Sequence, residues 1–94
     1  MDKRDVMPIN KTQLRRLSAI VHVLNHSTCN TKQLRCKVSE LIDVEVCKST
    51  IEKDLYHLRM EYDLDEYIER SSGGYHIPEN IDFIALLKNH LNLF

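Results

Sequence analysis

Hydrophobic residues follow helical spacing through the first two-thirds of the chain and then switch to alternation. Leu14, Leu17, Ile20, Val21 and Leu24 recur every three or four residues, which places them on one face of a helix beginning near Lys11. Thr12 is read as its N-cap, and the polar cluster Asn25, Ser27, Thr28 and Asn30 predicts the loop that follows. Leu34, Val38, Leu41 and Ile42 form a second stripe, with Thr31 as the expected cap. Asp43 to Val46 carries no stripe and is read as a turn. A third helix is predicted over about residues 48–62, with Ile51, Leu55, Leu58 and Tyr62 facing inward. Ser49 and Glu52 have capping-box spacing, Cys47 with Thr50 is the competing register, and the sequence leaves both open.

Past Tyr62 the period shortens. Glu66 to Ser71 and Gly74 to Ile77 are short segments around Ser71-Ser72-Gly73-Gly74, the pattern of a β-hairpin with glycine in its turn. Pro78 ends the second strand because it cannot donate to a ladder. Asn80 is the expected cap of a last helix, Ile81 to about Leu93, with Ile84, Leu87, Leu91 and Phe94 along one face. The predicted class is mainly α with a small β-hairpin: a winged helix-turn-helix domain over residues 11–94, preceded by an arm at 1–10.

Composition narrows the function classes. The 94 residues are 43% hydrophobic and 29% charged with a net charge of −1, which suits one small globular domain and excludes a globally polybasic protein. The charge is unevenly spread: residues 1–62 carry an excess of +3 and residues 63–94 one of −4. Three cysteines, none in a C-x-x-C pair, argue for reduced thiols. Without an apolar leader in MDKRDVMPIN or a run long enough to span a bilayer, the expectation is a cytoplasmic protein with no membrane contact. His22, His26 and Cys29 form H-x3-H-x2-C but lack the Glu of a helical zinc motif, so neither metal nor other cofactor is expected. No nucleophile elbow, paired-carboxylate constellation or glycine-rich phosphate loop is present, and the expectation is a protein that is not an enzyme.

The predicted order points to DNA. A helix presented after a tight turn fits the major groove, and a hairpin beside it can follow the phosphate backbone. Val46-Cys47-Lys48-Ser49-Thr50-Ile51-Glu52-Lys53-Asp54-Leu55 resembles the V-S-x-x-T-I-x-x-D-L recognition-helix signature of DeoR-type and WYL-domain bacterial regulators. Arg70 to Ile77 is similar to the wing that follows it in WYL-type proteins, and Met7 to Lys11 to the start of such regulators. The resemblance spans roughly residues 7–77. It implies a sequence-specific transcriptional regulator binding double-stranded DNA, with Thr50 and Lys53 facing the DNA and Asp54 in a structural role. Cys47 stands where the family usually has Ser, and Glu52 where it usually has a basic residue. The sensor module the family carries downstream is not in this chain, so a stand-alone regulator and an N-terminal piece are both open.

The candidate DNA-binding residues are Lys48, Ser49, Thr50, Lys53 and His57 in the third helix, Arg70, Ser72, Gly73 and His76 in the hairpin, and Arg15 and Arg16 as phosphate clamps. The last helix is more apolar than one buried face requires, and Phe83, Leu86, Leu87, Leu91 and Phe94 are the expected homodimer interface. The competing expectation is a winged-helix protein–protein module, which the near-neutral charge, Glu52 and the acidic, apolar C-terminal third favour.

Overall fold

A computed structural model describes residues 11–61, 64–65, 68–71 and 73–83. They form three helices, α1 (Lys11–His26), α2 (Thr31–Ile42) and α3 (Lys48–Met60), followed by strands β1 (Glu69–Ser71) and β2 (Gly74–His76). Leu17, Ile20, Val21 and Leu24 of α1, Leu34 and Val38 of α2, and Ile51, Leu55 and Leu58 of α3 are buried in one core. The apolar stripes read from the sequence converge there because each helix is too short to hold its conformation without burying that face. Val46, Leu64, Ile68, Ile77 and Phe83 close the core from the turn and the hairpin arms. Among the described residues, no helix is long and apolar enough to cross a membrane.

The helix ends correct the expected caps. Thr12 lies inside α1, which begins at Lys11. At α2 the cap is Asn30, not Thr31: its side chain accepts from the Gln33 amide at 2.8 Å, and the Gln33 side chain accepts from the Asn30 amide at 3.0 Å. Asn30 has extended backbone (ψ 175°), whereas Thr31 is already helical, and a cap side chain reaches the first-turn amides only from outside the helix. Leu41 is also misplaced by periodicity. It is 53% exposed, in the last turn of α2.

The α2–α3 connection is rigid for its length. Asp43 adopts the left-handed conformation (φ 57°), and its amide and that of Val44 both reach the Ser39 carbonyl. The Ser39 hydroxyl accepts from the Val46 amide at 3.0 Å, and the Arg35 guanidinium donates to the Val46 carbonyl at 3.4 Å. The turn's polar groups are therefore met by α2, which fixes where α3 starts.

The hairpin is held by an isolated bridge to the α1–α2 loop. β1 and β2 are antiparallel with Arg70 opposite Tyr75. Cys29, in the α1–α2 loop, exchanges both backbone hydrogen bonds with Tyr75, at 2.7 and 3.0 Å. Gly74 makes that approach feasible: its φ is +124°, and a β-carbon there would collide with the Cys29 carbonyl and the Asn30 nitrogen. Beyond β2, the Ile77 amide donates to the Leu24 carbonyl, and the Asn25 side-chain amide donates to the carbonyls of Ile77 and Pro78. Ile68 and Ile77, expected in the strands, lie outside β1 and β2, and Glu66 and Tyr67 fall outside the described residues. The last helix expected at 81–93 falls almost wholly outside the described residues.

Candidate nucleic-acid interface

α3 divides into an inner and an outer face. Ile51, Asp54, Leu55 and Leu58 are buried. At 100° per residue, the side opposite them carries Ser49, Glu52, Lys53, Tyr56 and Met60, all exposed. Lys48 flanks this stripe on one side as an exposed residue, and half-buried Thr50 and His57 flank it on the other. Tyr56 and Met60, at 58% and 55% exposure, are the most solvent-facing large apolar side chains of the helix.

The buried face holds the one buried charged residue among those described. Asp54, 1% exposed, accepts from Arg16 Nε at 2.6 Å and from Arg16 Nη2 at 3.1 Å, a two-pronged pair joining α3 to α1. The Asp54 carboxylate holds the Arg16 guanidinium above its ordinary value against the opposing effect of burial. Arg16 is thereby committed to the interior and is not a free phosphate clamp, which corrects the expectation for it. Arg15 is exposed, but its guanidinium donates to the Ile42 carbonyl at 3.2 Å, where a cation meets the negative end of the α2 dipole.

At the start of α3, neither expected capping interaction forms. Cys47 occupies the N-cap position, but its side chain caps no amide. Its sulfur instead lies 3.3 Å from the Ser49 hydroxyl and 3.2 Å from that of Thr50. These hydroxyls, Ser49 first, lower the thiol to about 7. Glu52, freed from any capping role, makes no hydrogen bond or ion pair with a described residue.

The other candidates are dispersed. His57 Nδ1 lies 3.1 Å from a Glu61 carboxylate oxygen, without the alignment of a hydrogen bond. Arg70 is exposed on β1 with its guanidinium 5.5 Å from the centre of the Tyr75 ring, a cation–π contact. Gly73 is exposed in the hairpin turn, and its amide donates to the Ser71 hydroxyl at 3.2 Å. His76 is half-buried, and its Nδ1 is buried with no hydrogen-bond partner among the described residues. Ser72, Leu86, Leu87, Leu91 and Phe94 lie outside the described residues. Phe83 is 5% exposed and belongs to the core, so it does not offer the partner-facing surface expected of it. His22 and His26 stack with ring centres 4.7 Å apart, and among the described residues no three His, Cys, Asp or Glu are grouped to hold a metal.

The structure thus brings Lys48, Ser49 and Lys53 onto one outward surface and leaves Thr50 and His57 at its edge. Tyr56 and Met60, central to that surface, and Glu52, at its edge beside Lys48, escaped a sequence reading that weighted basic and hydroxyl residues. The angular position of each residue on the helix was the signal that could have found them.

A groove of about 550 Å³ adjoins the start of α3, lined by Thr12, Arg16, Arg35, Val44, Cys47 and Lys48 among others. A second, of about 540 Å³, runs between α1 and the end of α2 past Leu14, Ala19, His22, Leu41 and Phe83. Comparison with known proteins finds no matching family model, no matching curated protein and no matching solved structure.

Proposed function

We propose that this chain is a winged helix-turn-helix protein that binds double-stranded DNA and regulates transcription by occupying an operator, with α3 in the major groove and the β1–β2 hairpin as the wing. The observation that carries this reading is the outer stripe of α3. It is an exposed run of groups able to read base edges, on a 13-residue helix whose opposite face is fixed by Arg16–Asp54 and by the tied turn before it. A major groove about 12 Å wide admits one such helix. Lys48 and Lys53 supply phosphate or guanine contacts, Ser49 a donor and acceptor, and Arg70 a cation on the wing.

A fluorescent duplex titrated with the full chain at low salt, then at about three-fold higher salt, tests the reading, because neutralising phosphates releases counterions and makes affinity fall steeply with salt. Micromolar or tighter binding that weakens with salt supports it, and absence of binding at low salt rejects it. Lys53→Ala is expected to weaken binding while the melting temperature stays within about two degrees, since the side chain is exposed.

A protein-docking role is the second reading. It is favoured by Leu41, 53% exposed and lining the α1–α2 groove, and by Val44, 49% exposed and lining the groove at the start of α3. Contact through that surface is insensitive to salt, so the same titration in the presence of the partner separates the two.

A further inference from the structure

The outer face of α3 carries a feature that phosphate binding alone does not call for. Glu52 sits at the edge of the stripe nearest Lys48, exposed, with Lys53 next in sequence and Ser49 one turn before it. Neither the capping box with Ser49 nor an ion pair with Lys48 forms, so the carboxylate is unengaged among the described residues. One turn further on, the stripe becomes apolar at Tyr56, and one more turn brings Met60. A carboxylate among phosphates is repelled, and it is tolerated only where a base edge offers it a donor. In the major groove that donor is the N4 amino group of cytosine, whereas guanine and thymine present acceptors there. The thymine methyl is the apolar group of the same groove.

We propose that Glu52 is the specificity-determining residue of α3, selecting cytosine through its N4 amino group, and that Tyr56 and Met60 select thymine by contact with its methyl. The inference rests on the DNA-binding reading and adds to it the sequence that would be bound. Glu52 and Tyr56 are four residues apart, about 6 Å along the helix, and base pairs are spaced at about 3.4 Å. The thymine selected by Tyr56 therefore lies about two base pairs from the cytosine, and the one selected by Met60 about three to four. Adenine also offers an amino donor, N6, but beside the N7 acceptor. A carboxylate is repelled by N7, whereas a glutamine amide satisfies both, so Glu52→Gln converts a cytosine preference into an adenine preference at the same position.

The test is selection of binding sites from a randomised duplex pool with the full chain, run in parallel with Glu52→Gln and Glu52→Ala. Circular dichroism melts establish that all three fold, as expected for changes at an exposed position. The expected result is a wild-type consensus with a fixed cytosine that becomes adenine in Glu52→Gln, loses preference in Glu52→Ala, and keeps its other columns in both. The wild type is expected to prefer cytosine there by about ten-fold or more. A consensus that forms but is the same in all three proteins overturns the role of Glu52 and leaves DNA binding standing. Failure of the wild type to bind any duplex overturns both.

Discussion

Asp54 and Arg16 show how much one side chain can fix. A buried carboxylate with its two oxygens on one guanidinium satisfies both groups, and removing either partner leaves the other desolvated and unpaired. Asp54→Ala is expected to cost about 3 kcal/mol in urea denaturation, at the low end for buried pairs because Arg16 keeps 19% side-chain exposure. The double variant Arg16→Met/Asp54→Leu is expected to recover part of that loss, which a double-mutant cycle measures directly. Cys47 gives a second prediction at this scale. Its thiol is lowered to about 7 by hydrogen bonds from the Ser49 and Thr50 hydroxyls, which favour the thiolate. Alkylation by iodoacetamide in a Cys36→Ser background should rise through a midpoint near pH 7 and be lost as pH falls below it, because only the thiolate attacks. Ser49→Ala is expected to move that midpoint upward. Buried Cys29 should not label in the folded protein.

At the scale of elements, the hairpin is only as stable as its seam with the α1–α2 loop. Gly74→Ala places a β-carbon against Cys29 and Asn30 at a backbone angle that L-residues avoid, so a loss of about 2 kcal/mol or more is expected. Gly73→Ala meets the Thr28 methyl at 3.4 Å and the Ser71 hydroxyl at 3.8 Å and is expected to change stability by less than about 1 kcal/mol. Paired thermal melts of the two variants check the contrast. Asn30→Ala, which removes the observed cap of α2, should cost about 1 kcal/mol. These elements also mark where the sequence was readable. The stripes through Leu17 and Ile20, Leu34 and Val38, and Ile51 and Leu55 are periodic, and burial follows period, so three helices and a turn at Asp43–Val46 could be read locally. The Cys29–Tyr75 bridge joins residues far apart in sequence, and no local pattern encodes it. Whether Asn30 or Thr31 caps α2 depends on which is extended, and both are good cap residues. Arg16 looked like a surface cation because its partner lies 38 residues away. Glu52 was legible as a residue type, but its freedom depended on α3 starting at Lys48.

At the scale of the whole molecule, electrostatics decide between the two readings of function. The chain as a whole is nearly neutral, and the first 62 residues carry a charge of +3. Several of those cations are already used inside the fold: Arg16 on Asp54, Arg15 on the end of α2, Arg35 on the turn, and Arg59 on Asp65 at 2.8 Å. Lys48 and Lys53 on α3 and Arg70 on β1 are left as the exposed cations best placed, on the proposed reading, to meet phosphates. Three contacts give a slope of log affinity against log salt of about −3, and affinity should fall by about 40-fold between 50 and 200 mM salt. Fluorescence anisotropy over that range measures it. A slope near −5 would bring in cations outside the described residues, for which Lys3 and Arg4 are candidates, and Lys3→Ala/Arg4→Ala should then return it to about −3. A flat profile would leave the stripe on α3 without phosphate neighbours, and the exposed Leu41 and Val44 would become the surface through which the molecule acts. The predicted slope is shallow for a DNA-binding protein, so phosphate contacts alone provide weak binding. If the chain binds DNA as proposed, discrimination between sequences must then come from base contacts, for which Glu52, Lys53, Tyr56 and Met60 are exposed candidates on α3.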